Sequence, residues 1–399
     1  MIIKKIDKFI FISVFYLLCF RTTLSLINPL LAFTPIFLGY MYVAINLFSP
    51  KLRVRRFNLF LILFLIFYFI FLIIIFSQIS IRNNTLTPFF ASIQYLFAPL
   101  FWAIFFNKYK MHTENIFNFL LENFSKIGIL MAFGAFFQYF ISSNLFGLIQ
   151  SDVYAPSDGI INPNVTLRAI SFINSPQSLG LFLASIFTLR LFYLKSSFIN
   201  VLYQCLIFFA GILTGSKAFV LFISAALFSS IINFKLKIWL YLISGLVCLY
   251  FFRIYLDIET LERFTQIGTR IFFLSEYGTF QIWMNFLNYP SSVFQELFGH
   301  GLGVLNTSAQ NLYDYKILTG SAESFLVQLY FETGLVGLLT FLLFYILIVI
   351  KCFLNSYIKP VGYVLVGSLV IMIGTPAFFG FVNSFWMWGL LIYAHLWRK

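Results

Sequence analysis

Long apolar runs, separated by short polar stretches, fill most of this sequence. An α-helix needs about 20 apolar residues to cross a bilayer, and runs of about that length recur from end to end. We therefore predict an all-α polytopic membrane protein with about 12 transmembrane helices. The predicted spans are residues 9–27, 30–48, 57–76, 89–106, 127–143, 169–193, 199–214, 217–233, 238–252, 324–350, 361–377 and 379–396.

Proline divides two of the longest apolar runs, and polar segments set the larger divisions. Pro29 and Pro376 each lie where one run is split into two predicted spans, because proline interrupts the helical hydrogen bonds. Loops longer than about 15 residues in a compact protein are usually functional. The predicted organisation is helices 1–9 over residues 1–252, with a short outer loop at 144–168, a long outer loop at 253–322 before the tenth helix, and helices 10–12 over residues 323–399.

Composition supports the membrane assignment. The chain of 399 residues is 61% hydrophobic and 10% charged, whereas a soluble domain is about 45–50% apolar and about 25% charged. A soluble globular protein and a disordered chain are both excluded. The four cysteines lie singly, so we predict neither a disulfide framework nor a metal site.

The net charge of +13 follows from topology. Cytoplasmic loops collect Lys and Arg, and with both termini cytoplasmic most of the 26 basic residues lie inside, together with only Asp7, Glu114 and Glu122 of the 13 acids. We therefore predict that the protein has no nucleic-acid partner and that membrane lipid surrounds it. The cytoplasmic basic residues are Lys4, Lys5, Lys8, Lys51, Arg53, Arg55, Arg56, Lys108, Lys110, Lys126, Arg190, Lys195, Lys235, Lys237, Lys351, Lys359, Arg398 and Lys399.

Cations at the outer side are the first candidates for chemistry. Arg263 and Arg270 fall on one face of an amphipathic helix predicted within residues 262–285, and arginine offers a fixed fork of donors for phosphate oxygens. Arg168 lies where the short outer loop re-enters the membrane, and Lys217 ends a glycine-containing turn, GILTGSK. Contacts with lipid headgroups or acids are the structural alternative for the arginines. A lysine at the outer edge needs a partner or a ligand, and both interpretations of it stay open.

One glycine-containing run and two acids are the remaining candidates. His300 lies in FGHGLG, where alternating glycines indicate close backbone packing or a tight turn and favour a structural role for the histidine over catalysis. Ser321 is the expected N-cap of the tenth helix, which would place Glu323 in its first turn as a carboxylate able to accept a hydroxyl proton, unless it is an ordinary helix-start acid. Glu332 is expected to point into the helix bundle, since a lipid-facing carboxylate is costly.

The order of these elements resembles the bacterial O-antigen ligase and polymerase family of membrane glycosyltransferases. The similar features, over about residues 160–350, are Arg168 before Pro176-Gln177, the Thr214–Lys217 turn, the late outer loop with Arg263 and Arg270, the GHGLG run and the helix ESFLVQLYFETGLVGLL. Three positions depart from the family pattern: Lys217 stands where members often have Arg, Gln177 where they often have Asn, and Glu323 where ligases tend to have His. The last departure favours a polymerase.

The resemblance implies a GT-C-like helical fold in the bacterial inner membrane, acting at the periplasmic face without a metal or another cofactor. The implied substrate is an oligosaccharide repeat unit on undecaprenyl pyrophosphate, and a chain-length regulator is a candidate partner. Its implied site has Arg168, Lys217, Arg263 and Arg270 binding the pyrophosphate, Glu323 and Arg270 in catalytic roles, and His300 and Glu332 as further candidates. The alternatives are a ligase that transfers glycan to lipid A core or another acceptor, and a lipid-linked oligosaccharide flippase.

Overall fold

The structure is a computed structural model in which almost all of the described residues are helical. Its only described strands form a hairpin of two residues each, in which Asn144 pairs with Ile149 and Leu145 with Leu148. The residues it describes are 5–47, 87–108, 113–142, 144–145, 148–149, 168–173, 175–194, 197–230, 278–301, 305, 324–375, 378 and 381–397.

The helices follow the predicted runs in order. They are α1 (Lys5–Cys19), α2 (Arg21–Ile27), α3 (Thr34–Leu47), α4 (Thr87–Lys108), α5 (Thr113–Phe140), α6 (Pro176–Tyr193), α7 (Phe198–Leu213), α8 (Lys217–Ser230), α9 (Gly278–Leu287), α10 (Val293–Phe298), α11 (Phe325–Phe353), α12 (Lys359–Gly374) and α13 (Phe381–Leu396). Short 3-10 helices occupy Pro29–Phe33 and Ser171–Ile173, and the strands are β1 (Asn144–Leu145) and β2 (Leu148–Ile149).

By length and composition these are the helices of a helical membrane protein. Within the described residues, three stretches are long and apolar enough to cross a bilayer, and a fourth is added if α1 and α2 form one broken span. The predicted spans 57–76 and 238–252 lie outside the described residues. The three stretches are Pro29–Asn46, Asn115–Phe140 and Phe325–Phe353.

The first predicted span, 9–27, is not one straight helix. It bends by 72° between α1 and α2. Immediately after the bend, Arg21 donates from Nε to the carbonyl oxygen of Ala32 at 3.1 Å, and its guanidinium lies 5.6 Å from the centre of the Phe33 ring. A charged group inside an apolar run needs partners within the protein. Hydropathy alone detects the run but does not report this requirement.

Two other predicted starts are also wrong. The helix of the span predicted at 127–143 begins at Thr113, because the segment that we assigned to a cytoplasmic loop continues the helix. An exposed ion pair of 2.6 Å joins Glu122 to Lys126, one turn later on this segment.

The span predicted at 169–193 begins as α6 at Pro176. The preceding residue, Ser175, caps the helix, because its side chain accepts a hydrogen bond from Ser178 N. Proline is favoured in a first helical turn, where its missing N–H is not needed.

The proline breaks are confirmed. Asn28 accepts a hydrogen bond from Leu30 N and starts the 3-10 helix at Pro29, which leads into α3. Near Pro376, α12 ends at Gly374 and α13 begins at Phe381. The break at Pro29 follows from local backbone chemistry, which is why the sequence predicts it well. Pro376 itself lies outside the described residues.

The chain forms two compact units, each assembled from three segments. The first comprises Met1–Pro35, Glu114–Glu276 and Cys352–Ile371, and the second comprises Ile36–Thr113, Tyr277–Lys351 and Met372–Lys399. In the first unit α6 is buried along most of its length and packs against α7 and α8. This packing places the short α7–α8 connection beside α6 and beside the segment that precedes α6.

Aromatic packing between α4 and α13 forms the core of the second unit. Trp102 is fully buried and donates from Nε1 to the carbonyl oxygen of Phe385 at 2.6 Å, while its ring lies 4.9 Å from the Phe385 ring. A Cβ at Gly389 would lie 2.7 Å from Cε2 of Trp102, so glycine is what allows the indole to approach α13. The tryptophan therefore links the two helices by shape and by a hydrogen bond.

Replacing this tryptophan tests the role of the α4–α13 core. Trp102→Ala is expected to lower the free energy of unfolding by about 3–5 kcal/mol, because it leaves a cavity. Phe37→Ala, in the same unit, removes a ring that is 65% exposed and is expected to have a much smaller effect. Thermal and denaturant unfolding of the purified protein in detergent would compare them, and equal losses would contradict this account of the core.

Candidate functional site

Arg168 is held against the turn that joins α7 to α8. Its Nε donates to the carbonyl oxygen of Thr214 at 2.9 Å, and the next residue, Ala169, donates its N–H to the carbonyl oxygen of Leu213 at 3.1 Å. The structure thus brings together Arg168 and the turn that ends at Lys217, two predicted site elements that are far apart in the sequence.

Local chemistry explains the shape of this turn. Gly215 has φ of +55°, a left-handed conformation that glycine adopts without steric cost. The Thr214 hydroxyl donates to the carbonyl oxygen of Gly211 at 2.6 Å and accepts from Ser216 N at 3.2 Å. These bonds end α7 and direct the chain into α8, whose first residue is Lys217.

The surroundings of the turn are buried. Arg168 is 8% exposed and Ser216 is 1% exposed, while Lys217 is half-buried. On the side of α6, a Cβ at Gly180 would lie 2.9 Å from Cβ of Ser216, so the helix and the turn are in close contact. Taking a cation out of water is costly, so a cation kept in such a buried place marks a candidate functional site. An arginine packed against a turn that leads into a lysine suits an anionic group such as a phosphate.

A glutamine on α5 fixes the segment that follows Arg168. The Gln138 side-chain oxygen Oε1 accepts hydrogen bonds from Ile170 N at 3.0 Å and from Ser171 N at 2.6 Å, and Gln138 is 1% exposed. Our sequence interpretation missed this residue. The available signal is a lone amide near the end of an otherwise apolar predicted span.

Arg21 is a second residue that the sequence interpretation missed. Its helix, α2, packs against the 3-10 helix Ser171–Ile173, where the Phe20 and Phe172 rings lie 4.7 Å apart. A lone arginine within the run 9–27 is the signal that would have drawn attention to it. It adds a further cation on an element that contacts the segment just after Arg168.

In the second unit, the FGHG run that ends α10 packs against the ETG segment of α11. Gly299 has φ of +80° and Gly334, inside α11, has φ of +66°. A Cβ at Gly299 would overlap the backbone of Glu332, and one at Gly334 would overlap the backbone of Leu297. The FGHG run and the ETG segment therefore approach to a distance that only glycine permits, which confirms the predicted close packing.

His300 lies at this junction as a buried, fully bonded side chain. It is 6% exposed, its ring stacks on Phe331 at 4.1 Å with an angle of 7°, and Nδ1 donates to the carbonyl oxygen of Phe331 at 3.2 Å. Its Nε2 lies 3.2 Å from the Ser291 hydroxyl, and the backbone N–H donates to the same Phe331 carbonyl at 2.9 Å. These contacts support the structural interpretation of His300.

Glu332 points into the protein, as predicted. It is fully buried, and Gln328, one turn earlier on α11, donates from Nε2 to Oε1 of Glu332 at 3.0 Å. Its own carbonyl oxygen accepts the N–H of Gly301 at 3.0 Å. Glu332 is therefore part of the junction between α11 and the segment that follows α10.

The start of α11 differs from the prediction. The helix begins at Phe325, and the Ser324 hydroxyl accepts from Val327 N at 3.3 Å, so Ser324 takes the capping position expected of Ser321. Ser321, Glu323, Arg263 and Arg270 lie outside the described residues, so the expected roles of these four residues stay predictions.

The glycine junction gives a direct test. Gly334→Ala is expected to lower the free energy of unfolding by more than about 1–3 kcal/mol, because its φ of +66° and ψ of −175° are nearly confined to glycine and the methyl group meets the Leu297 backbone. Gly374→Ala, with open space around the added Cβ, is the matched control. Thermal unfolding in detergent measures both, and a Gly334→Ala protein as stable as Gly374→Ala would contradict the junction.

Sequence comparison adds no relative to this geometry. Neither a search against protein-family models nor a search against curated proteins finds a significant match to the chain. The function must therefore be argued from the residues themselves.

Proposed function

We propose that this protein is a surface-polysaccharide polymerase, a membrane glycosyltransferase that joins oligosaccharide repeat units carried on undecaprenyl pyrophosphate. The observation that carries the proposal is the fixing of Arg168 against the Thr214–Lys217 turn, with a bond of 2.9 Å from Arg168 Nε to the Thr214 carbonyl. This contact joins two elements of the motif order that resembles the O-antigen ligase and polymerase family.

The reaction explains why fixed cations are useful. The growing glycan is transferred from its lipid pyrophosphate to a sugar hydroxyl of the next lipid-linked unit, so the bond from the anomeric carbon to the pyrophosphate oxygen breaks and a glycosidic bond forms. Negative charge grows on the leaving pyrophosphate in the transition state. Cations held in place before the reaction stabilise that charge without having to reorganise.

The residues divide between the leaving group and the acceptor. Arg168 and Lys217 bind the pyrophosphate, Arg263 and Arg270 of the long loop complete that set, and Arg270 also has a catalytic role. Glu323 accepts the proton of the acceptor hydroxyl as the carbon–oxygen bond forms. The proposal needs no metal or other cofactor.

The proposed setting is the bacterial inner membrane. About 12 spans in a GT-C-like arrangement would place both termini in the cytoplasm and the long 253–322 segment in the periplasm. The phenylalanine-rich bundle, with 57 Phe in the chain, supplies the apolar surface that a polyprenyl tail requires. A chain-length regulator is the proposed protein partner.

Gel analysis of surface glycans separates this proposal from its two alternatives. A deletion strain that makes one repeat unit on the lipid A core, and regains the long ladder when the gene is restored, has lost a polymerase. Long chains that accumulate on the lipid carrier would identify a ligase instead. Failure of repeat units to reach the periplasmic face would identify a flippase, and an unchanged ladder would overturn the proposal.

Removing the cations is expected to stop polymerisation. Arg168→Ala and Lys217→Ala should each lower the rate by about 100-fold, as expected for the loss of a fixed charge that stabilises the transition state. Ladder length in cells and turnover of a lipid-linked repeat unit in vitro would both be measured at matched protein levels.

A second buried arginine in the same unit serves as the control. Arg190 is 5% exposed and donates from Nη2 to Oδ1 of Asn200 at 3.3 Å. Arg190→Ala removes a comparable buried cation that the proposal does not use, so polymerisation should persist. Normal ladders in both Arg168→Ala and Lys217→Ala would refute the pyrophosphate site.

The proposed base has its own test. Glu323→Gln keeps the size of the side chain but removes its ability to accept a proton, so turnover should fall by about 100-fold or more while donor binding changes little. Binding of the lipid-linked unit and single-turnover transfer would be measured separately. Unchanged transfer would remove Glu323 from the mechanism and leave the cation site untouched.

A further inference from the structure

We infer that one face of α5, formed by Gly134 and Gln138, is the positioning platform for the Arg168 guanidinium. Residues four apart on a helix lie on the same face, and both of these contact the short segment that follows Arg168. Gln138 bonds to the backbone two and three residues after Arg168, so in this inference it acts through Arg168 and is a positioning residue. Its importance for catalysis rests on the proposed function of Arg168.

The first support is the hydrogen bonding of Gln138. A single side-chain oxygen accepts two consecutive backbone N–H groups, those of Ile170 and Ser171, at 3.0 and 2.6 Å. Both residues are fully buried, so no solvent replaces the amide. Losing the partner of a buried N–H costs about 1–3 kcal/mol. The amide therefore determines where this part of the backbone lies.

The second support is the strained backbone that the platform holds. Ser171 has φ of 47°, a conformation that residues with a side chain adopt rarely and that persists only when the surroundings enforce it. A Cβ at Gly134 would overlap Oγ of Ser171, so glycine at this position makes room for the serine. Gln138 accepts the hydrogen bond from Ser171 N, and the missing side chain of Gly134 leaves room for the Ser171 hydroxyl.

The third support is that the segment is fixed at both ends. At one end, α5 holds Ile170 and Ser171. At the other end, Ala169 N donates to the Leu213 carbonyl and Arg168 Nε to the Thr214 carbonyl. Arg168 is therefore placed by two anchors on different helices. If the α5 anchor is lost, the guanidinium is expected to shift, and a misplacement of about 1 Å can lower a rate by about 100-fold.

Substitutions at Gln138 separate positioning from packing. Gln138→Met keeps the length of the side chain but removes the acceptor, whereas Gln138→Glu keeps an acceptor oxygen. Gln204 is a matched control, a buried glutamine of the same unit that donates from Nε2 to the Phe187 carbonyl at 2.7 Å. Gln138→Met, Gln138→Glu and the control Gln204→Met would be purified in nanodiscs and assayed with a lipid-linked repeat unit.

We expect Gln138→Met to lower kcat by about 10- to 100-fold with a smaller change in KM, since the charge that Arg168 stabilises grows mainly in the transition state. Gln138→Glu should restore most of kcat, and Gln204→Met should leave it near the wild-type value. A general packing defect would lower kcat in Gln204→Met as well and would not respond to the Glu substitution; that pattern overturns the inference.

A double-mutant cycle tests whether Gln138 acts through Arg168. In an Arg168→Ala background, Gln138→Met is expected to cause no further loss of kcat, because the group that it positions is already gone. Independent, multiplicative losses would overturn the inference. If Arg168→Ala alone keeps full activity, the proposed pyrophosphate site is wrong. If Arg168→Ala is inactive but the single variant Gln138→Met is fully active, the pyrophosphate site stands and only the positioning role of Gln138 is wrong.

A glycine substitution keeps the test valid if Gln138→Met does not fold. Gly134→Ala should raise the helix propensity of α5, yet lower kcat, because its Cβ overlaps the Ser171 hydroxyl. Gly128→Ala on the same helix is the control, since its Cβ would meet the Ile186 side chain, at 2.7 Å from Cδ1, and not the segment that follows Arg168. Equal kcat values for the two variants would overturn the platform.

Discussion

Polar and charged groups inside an apolar helical protein must find partners within the protein, because neither lipid nor a packed core offers any. Much of what is distinctive here follows from that constraint. Arg21 bonds to the Ala32 carbonyl beside a 72° bend, Arg168 bonds to the Thr214 carbonyl, and Glu332 is fully buried beside Gln328. In each case a hydrogen bond joins the charged side chain to a particular backbone or amide group. That bond fixes the position of the charge.

Glycine provides the close approaches that these bonds need. The close approach of Gly299 to the Glu332 backbone and of Gly334 to the Leu297 backbone places His300 next to the carbonyl oxygen of Phe331. Gly180 lets α6 lie against the turn that holds Arg168. A Cβ at any of these positions would overlap the neighbouring segment, so the segments could not approach as closely. Small residues therefore decide where the polar groups meet, while the aromatic residues fill the volume between helices.

For the proposed transferase, the consequence is a cation whose position is set before the substrate arrives. Arg168 is fixed at its own Nε, at the next peptide group, and through Gln138 two residues further on. Such a cation can stabilise a developing charge without first ordering itself, which is the usual source of catalytic advantage in a preformed site. A loosely held surface arginine would lose that advantage to rotamer entropy and to water.

The sequence alone determined the helical membrane class, the order of the described helices, the helix breaks at Pro29 and between Gly374 and Phe381, close backbone packing at the FGHG run, and the inward side chain of Glu332. These follow from hydropathy and from the backbone limits of proline and glycine, which act locally. That the FGHG run packs against the ETG segment came from the structure. Only the tertiary structure decided that Arg168 meets the Thr214 carbonyl, that Gln138 fixes Ser171, and that the first span bends at Phe20. Each of these depends on groups distant in sequence whose pairing leaves no periodic signal, since a hydrogen bond between two helices is specified by three-dimensional packing and not by spacing along either one.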